Sequence, residues 1–276
     1  MRKKTFFEGF AAVPHVVWVV LCIVLPLVFV VYFAFTDSSG AFSFENIGNL
    51  SRYGHIFLLS ICFALISTAL CLLIGYPLAY FMSRLKPRTQ KILVIVLMLP
   101  MWISLLIRTY SLMAILDNGG LFNTLLESLG ITRIHIVGTP GAVILGMVYD
   151  FLPYMVLPIY TSLSKLDARY YEAANDLGAG NFKTLFKVAF PLSLPGVISG
   201  ITMVFVPSIS TFYISQKLGG GLFDLIGDTI EREFQNKSTY NIGAAISLVM
   251  MILILISVAI MNRFSEGDEN EGGIIV

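Results

Sequence analysis

The chain has 276 residues, of which 57% are hydrophobic and only 13% are charged, and its formal net charge is +1. An average soluble domain has about 25% charged residues, so this composition excludes a disordered chain, a disulfide-rich secreted module and an ordinary water-soluble domain. The balanced charge gives no indication of a nucleic-acid partner. With a mean hydropathy of +0.83, the composition predicts an integral membrane protein that lies largely in the lipid bilayer.

Six apolar runs are each long enough to cross a bilayer, which takes about 20 helical residues. Lipid offers no partners for free backbone groups, so each run is predicted to be a helix. Strands of a β-barrel would be shorter and would alternate in polarity. The predicted fold is therefore all-α and polytopic, with six transmembrane helices. In chain order the predicted spans are Val13–Phe35, Phe57–Met82, Ile92–Leu116, Thr139–Ser162, Val188–Ile214 and Ile242–Met261.

Lysine and arginine residues are concentrated on one side of this six-helix trace. That side carries the N-terminal basic cluster, the loops after the second and fourth spans, and Arg263. By the positive-inside rule, both termini are predicted to be cytoplasmic. We expect one transmembrane domain over residues 1–264, with a cytoplasmic segment at 163–187, followed by a flexible acidic tail at 265–276.

The cytoplasmic segment after the fourth span has the features of a short amphipathic helix. Asp167 suits the N-cap position, and Gly178 suits the left-handed conformation that ends many helices. Between them, Tyr170, Ala174 and Leu177 follow the spacing i, i+4, i+7 and so share one apolar face. A helix this short is marginal in water. Its apolar face is predicted to pack either against its own chain or into a groove of a separate cytoplasmic protein.

A spaced motif in the same segment resembles the signature of a known family. The motif comprises Glu172, Ala173, Ala174, Gly178, Val188, Phe190 and Pro191. It resembles the EAA motif of ABC importer permeases, Glu-Ala-Ala-x3-Gly-x9-Ile-x-Leu-Pro. Val188 and Phe190 replace the Ile and Leu of this pattern conservatively. The resemblance implies the type I, MetI-like permease fold. It also implies that the helix around Glu172 is the coupling helix that seats in a groove of an ATPase.

Three further stretches, which begin at Trp102, Gly120 and Val148, resemble the PotB-type subunits of the spermidine/putrescine branch of this family. The resemblance implies half of a permease in a bacterial inner membrane, paired with a second, PotC-like permease subunit. Two cytoplasmic ATPase subunits would bind ATP and Mg, and an extracytoplasmic binding protein would deliver the polyamine. This chain itself would bind no cofactor or metal and would have no catalytic residues.

Three alternatives remain open at this stage. The same architecture could import sulfate, ferric iron or a phosphonate, although anionic cargo would favour basic residues in the pathway and only Arg108 qualifies. An ion-coupled secondary transporter would work without an ATPase and would favour internal repeats, which the sequence does not display. An intramembrane enzyme would need a nucleophile–base or metal constellation, and the sequence contains none that is recognisable.

Two ionisable residues, Arg108 and Asp150, fall inside predicted spans at similar depth, and charges at such depth are rare and costly. They could form a structural ion pair between the third and fourth helices. Alternatively, Asp150 with Tyr154 could attract a polyamine cation through charge and cation–π contact. The candidate pathway residues are Asp150, Tyr154, Arg108, Tyr110, Ser208 and Thr211.

The fifth predicted span contains three prolines, Pro191, Pro195 and Pro207. Each removes a helical hydrogen bond, so they are predicted to begin or interrupt this span. A broken helix at membrane depth would suit a moving gate.

Overall fold

The computed structural model describes residues 6–37 and 40–271 and is almost entirely helical. Within these residues the only strand-like pairing is an isolated antiparallel bridge between Thr36 and Phe42. The prediction of an all-α fold is therefore confirmed. The described helices are α1 Phe6–Val19, α2 Leu25–Ala34, α3 Glu45–Gly48, α4 Gly54–Ser83, α5 Pro87–Met98, α6 Leu105–Leu116, α7 Leu121–Ser128, α8 Pro140–Ser164, α9 Ala168–Asp176, α10 Asn181–Thr184, α11 Phe190–Leu192, α12 Leu194–Ser210, α13 Tyr213–Leu218, α14 Ile226–Gln235 and α15 Tyr240–Glu271.

Four continuous helical stretches in the described chain are long and apolar enough to cross a membrane. They coincide with the first, second, fourth and sixth predicted spans and have the bounds Val13–Ala34, Glu45–Ser83, Pro140–Ser164 and Tyr240–Arg263. The third and fifth predicted spans are instead bent pairs of helices. Counting each bent pair as one span gives the six that the sequence predicts.

The third predicted span is not continuous, and this corrects the sequence prediction. Pro87–Trp102 and Leu105–Ser128 meet at an angle of 92°. Pro100 lies in a 3-10 turn over Leu99–Trp102, and Ile103 then takes an extended conformation. Proline lacks the amide that would continue the helical hydrogen bonds, so the helix tightens and ends here.

The fifth predicted span is broken where its first two prolines lie, as predicted. Phe182–Leu192 and Leu194–Ser210 meet at 74°, with Ser193 between Pro191 and Pro195. The third proline, Pro207, lies inside α12 without interrupting it. The helix ends earlier than predicted because Thr211 is extended, and α13 begins after this second break.

The last helix, α15, continues to Glu271. It therefore enters the segment 265–276 that the composition predicts to be a flexible tail, and residues 272–276 lie outside the described part. The domain boundary at residue 264 stays a prediction.

By its internal contacts the chain divides into two compact units. The first comprises the described residues of Met1–His55 and Thr229–Leu253, and the second those of Ile56–Asp228 and Ile254–Val276. In the first unit the backbone carbonyl of Thr36 accepts hydrogen bonds from the side-chain amides of Asn46, at 2.8 Å, and Asn241, at 2.6 Å. These bonds satisfy a carbonyl that follows the end of α2 and tie three segments of this unit together.

Helix α8 is the centre of the second unit. It begins with a local cap, because the hydroxyl of Thr139 accepts from the amide of Ala142 at 3.2 Å and Pro140 occupies the first helical turn. Gly196 and Gly200 of α12 lie very close to α8. A Cβ added at Gly196 would stand 2.7 Å from the carbonyl oxygen of Pro158, and one added at Gly200 would stand 3.1 Å from that of Met155. This spacing of small residues is typical of close helix packing in membranes.

Candidate coupling segment and translocation pathway

Helix α9 has the local chemistry that the sequence predicts. Asp167 Oδ1 accepts a hydrogen bond from the amide of Arg169 at 3.0 Å, which caps the first turn. Gly178 follows the helix with a φ of +73°. The amide of Ala179 donates to the carbonyl of Ala174 at 2.9 Å, which closes the last turn. Both helix boundaries are therefore set within the segment itself.

The apolar positions of α9 face two different environments. Ala174 is buried together with Tyr171, whereas Tyr170 and Leu177 are exposed. The three positions at spacing i, i+4, i+7 therefore do not all pack against the chain, and the exposed pair stays free to dock into a separate protein, as one of the two predicted alternatives requires. The buried side of the helix carries Tyr171 and Ala174, and Tyr170 lies outside it.

Tyr171 attaches α9 to the end of α4. Its ring centroid lies 6.4 Å from that of Tyr80, and the guanidinium carbon of Arg84 lies 4.0 Å above its ring, within the range of a cation–π contact. Burial raises the pKa of the Tyr171 phenol, with a smaller contribution from Tyr80, while the positive charge of Arg84 acts in the opposite direction. The phenol oxygen is buried and has no hydrogen-bond partner among the described residues.

The opposite side of the segment presents apolar side chains to the surroundings. Leu177 is 89% exposed and Tyr170 is about half exposed. Phe182 and Phe186, on the next turns of the chain, are also exposed and their ring centroids are 5.6 Å apart. Glu172, Ala173 and Gly178 of the motif are exposed as well. The segment is thus anchored to its own chain by one side and leaves the other uncovered.

Arg108 and Asp150 form a buried ion pair between α6 and α8. Arg108 Nη1 lies 3.1 Å from Asp150 Oδ1, and the side chains are 6% and 0% exposed. Arg108 also donates to the Asp150 backbone carbonyl at 3.4 Å, and the hydroxyl of Thr109 donates to Asp150 Oδ2 at 3.3 Å. The ion pair between the third and fourth predicted spans, which the sequence offered as one alternative, is therefore present.

The other candidate pathway residues do not converge on this pair. Tyr154 is half-buried one turn after Asp150 and packs on Phe151, with ring centroids 6.4 Å apart. Ser208 and Thr211 are buried at the end of α12, and the hydroxyl of Ser208 has no hydrogen-bond partner within the described chain.

Tyr110 belongs to a different cluster, with two residues that the sequence does not single out. Its side chain is 48% exposed, and its ring centroid lies 5.8 Å from that of Tyr213 in an edge-on arrangement. The ammonium nitrogen of Lys217 lies 5.2 Å from the Tyr110 ring centroid and 5.6 Å from that of Tyr213. The spacing of Tyr213 and Lys217 by four residues is the signal that could have placed them on one helical face.

No group of three or more His, Cys, Asp or Glu residues in the described ranges is arranged to hold a metal ion. The chemistry on display is that of packing, charge pairing and aromatic contact.

Residues 71–267 match the family described as binding-protein-dependent transport system inner membrane component, and the chain belongs to this family. Members of the family are transport components, and the chain is accordingly a multi-pass inner-membrane permease subunit.

Individual proteins agree with this assignment. The chain is 37% identical over 256 residues to the spermidine/putrescine transport system permease protein PotB of Haemophilus influenzae. The matched region covers 89% of this chain and 90% of that protein. A chain of a bacterial ABC transporter that imports the acidic polysaccharide alginate superposes with a TM-score of 0.77 at 18% identity, covering 96% of each chain. A chain of the MetNI methionine ABC transporter gives 0.59 at 16% identity, covering 82% of this chain and 99% of that one. The two structures show the fold alone and confirm the MetI-like permease architecture.

Proposed function

We propose that this chain is the permease subunit of an ATP-driven, binding-protein-dependent importer of polyamines, of the spermidine/putrescine type. The observation that carries the proposal is the 37% identity to a spermidine/putrescine permease, which extends over 89% of the chain. The chain would form half of the translocation pathway and would contribute no catalytic group of its own.

The proposed partners follow from this role. A second, PotC-like permease subunit would complete the pathway, and an extracytoplasmic binding protein would deliver the polyamine. Two ATPase subunits would bind ATP and Mg on the cytoplasmic side, where the positive-inside rule predicts α9 to lie. The chain would itself hold no cofactor.

We assign coupling to the exposed side of α9. A short helix that is capped at both ends and anchored by Tyr171 would move as one body with the chain to which it is attached. Its uncovered residues offer an apolar face of the kind that inserts into a groove of another protein. The proposed coupling residues are Tyr170, Glu172, Ala173, Ala174, Leu177 and Gly178. Among these, Ala174 would act through packing on its own chain, because it is buried.

We assign the substrate pathway to the surface at which Tyr110 of α6 meets Tyr213 of α13. The residues proposed to line or support it are Tyr110, Arg108, Asp150, Tyr154, Ser208 and Thr211. Because Arg108 already neutralises Asp150, the group in this set that would contact a cation is the partly exposed ring of Tyr110, which the Lys217 ammonium approaches to 5.2 Å.

The proposal is tested on the complex recovered with its partner subunits and reconstituted in proteoliposomes. We expect spermidine loaded on the binding protein to stimulate ATP hydrolysis and to accumulate inside the vesicles. The matched control uses the same binding protein without ligand, and parallel vesicles receive sulfate, ferric iron or a phosphonate. Stimulation by one of these and not by polyamine would overturn the assignment of cargo, and uptake without any ATPase subunit would overturn the mechanism.

A further inference from the structure

The Tyr110–Tyr213–Lys217 cluster places a primary ammonium group against two aromatic rings. The Lys217 nitrogen lies 5.2 Å and 5.6 Å from the two ring centroids, within about 6 Å, where the ring quadrupole attracts a cation. The rings themselves stand edge to face at 74°. The ammonium therefore faces two rings in different orientations.

The frame that carries this cluster is fixed. Helix α13 packs on α8 through Ile214, since a Cβ added at Gly146 would stand 2.9 Å from Ile214 Cγ2. The amide of Gly138 also donates to the carbonyl of Leu218 at 2.7 Å. The backbone of α13 is therefore held in place, while the side chain of Lys217 is half-buried and has four rotatable bonds.

We propose that Tyr110 and Tyr213 form a binding site for the terminal ammonium of a polyamine, and that the Lys217 side chain occupies this site when substrate is absent. The inference rests on the proposed polyamine cargo. The chemical basis is that the lysine side chain consists of four methylene groups followed by a primary ammonium. The end of an aliphatic diamine has the same arrangement. The side chain of Lys217 is thus a tethered copy of the ligand end group.

Substrate entry is then an exchange of one ammonium for another. The arriving cation displaces Lys217 from the rings, and the lysine swings away from the rings on its flexible stem. The site discriminates against neutral and anionic cargo, because such cargo gains no cation–π contact to offset the displacement of the lysine.

The exchange is tested by observing Lys217 directly in the complete complex in lipid nanodiscs. Lysines are ¹³C-methylated reductively before any ligand is added, and the Lys217→Arg variant assigns the Lys217 resonance. We expect this resonance to be shifted by the ring currents of the two tyrosines, and to move to the position of an exposed lysine when spermidine is added. Sodium chloride at matched ionic strength and 1,4-butanediol serve as controls and are expected to leave it in place.

A second measurement does not depend on the label. Spermidine binding to the complex without its binding protein is compared between the native chain and Lys217→Met, which keeps the length of the side chain and removes its charge. Removal of the competing ammonium is expected to tighten binding roughly two- to fivefold, the ratio that corresponds to one exposed cation–π contact. Tyr110→Phe is expected to retain binding, and Tyr110→Leu to weaken it.

The outcomes separate this inference from the proposed function. If the complex imports spermidine but the Lys217 resonance and the Lys217→Met affinity do not change, the site is wrong and the function stands. If the complex imports no polyamine, the proposed function fails, and the ligand assigned to this site fails with it.

Discussion

Arg108 Nη1 lies 3.1 Å from Asp150 Oδ1, and both side chains are almost completely buried between α6 and α8. The charges compensate each other, and the hydroxyl of Thr109 donates a hydrogen bond to the other carboxylate oxygen, Asp150 Oδ2. A pair of this kind costs much to desolvate, but removing one partner costs more, because the remaining charge is left buried without a counter-charge.

The ion pair predicts a specific pattern of variants. Arg108→Met and Asp150→Asn should each destabilise the permease by about 3–5 kcal/mol, whereas Arg108→Met combined with Asp150→Leu should be much closer to the native chain. Thermal unfolding of the complex in nanodiscs measures the three differences. If the double variant is less stable than both singles, the pair is not the origin of the effect.

The same double variant tests whether Asp150 also contributes to the cation pathway. If this carboxylate assists the substrate, the double variant should assemble and yet lose spermidine uptake. Native uptake by a stable double variant would contradict the pathway role and would leave the pair with a purely structural one.

Leu177, which directly follows α9, is 89% exposed, and its substitution should uncouple the permease from the ATPase. Burial of a leucine contributes about 1.5–3 kcal/mol, so Leu177→Gln should weaken recovery of the ATPase by about tenfold or more. Asp176→Gln changes the adjacent exposed position, about 100° around the helix, and is the matched control. Equal ATPase recovery with the two variants would exclude the proposed docking face.

Gly196 should not tolerate even one methyl group. A Cβ at this position would lie 2.5 Å from Ser162 Cβ and 2.7 Å from the carbonyl oxygen of Pro158. Gly196→Ala should therefore destabilise the permease by about 1–3 kcal/mol, although alanine favours helices intrinsically. Gly54→Ala is the control, because no atom lies within 4 Å of its added Cβ, and its thermal stability should be unchanged or slightly higher. A native unfolding temperature for Gly196→Ala would contradict the close approach of α12 to α8.

The phenol of Tyr171 should be dispensable while its ring is not. Because its oxygen is buried without a partner among the described residues, Tyr171→Phe should be neutral or stabilising, by up to about 1–3 kcal/mol. Tyr171→Ala removes the ring that contacts Arg84 and Tyr80 and should release α9 from α4. Protection of α9 amides from hydrogen exchange distinguishes the two variants. Equal loss of protection in both would show that the hydroxyl, and not the ring, anchors the helix.

The ends of α9 could be predicted from the sequence, because Asp167 and Gly178 act on backbone groups within a few residues. The side of α9 that is buried could not. Tyr170 and Tyr171 are adjacent and chemically identical, and only the position of Arg84 and Tyr80, far away along the chain, decides which ring is covered.

The breaks in the membrane helices were predictable only in part, for a related reason. Pro191 and Pro195 flank a break and Pro100 precedes one, whereas Pro77 in α4 and both Pro153 and Pro158 in α8 lie inside unbroken helices. A proline in the interior of a helix removes one hydrogen bond, but the helix is expected to end only where the released backbone groups find other partners. Those partners are supplied by tertiary packing, which one sequence does not reveal.

The depth of Arg108 and Asp150 was sufficient to predict that they could meet. The cluster of Tyr110, Tyr213 and Lys217 was not foreseen, because α13 begins after a break at Thr211 that the sequence does not indicate. The orientation of the termini relative to the membrane stays a prediction from charge distribution.

The contact of Gly196 and Gly200 with the backbone of α8 has a kinematic consequence. Two helices that touch at this distance interlock, so neither can slide by a turn past the other without first separating. The hydroxyl of Ser193, three residues before Gly196, shares a hydrogen bond of 3.0 Å with the hydroxyl of Tyr76 in α4. A rotation of α12 about the bend at Ser193 would therefore move α8 with it, and any hinge between moving parts would be expected outside the α8–α12 contact.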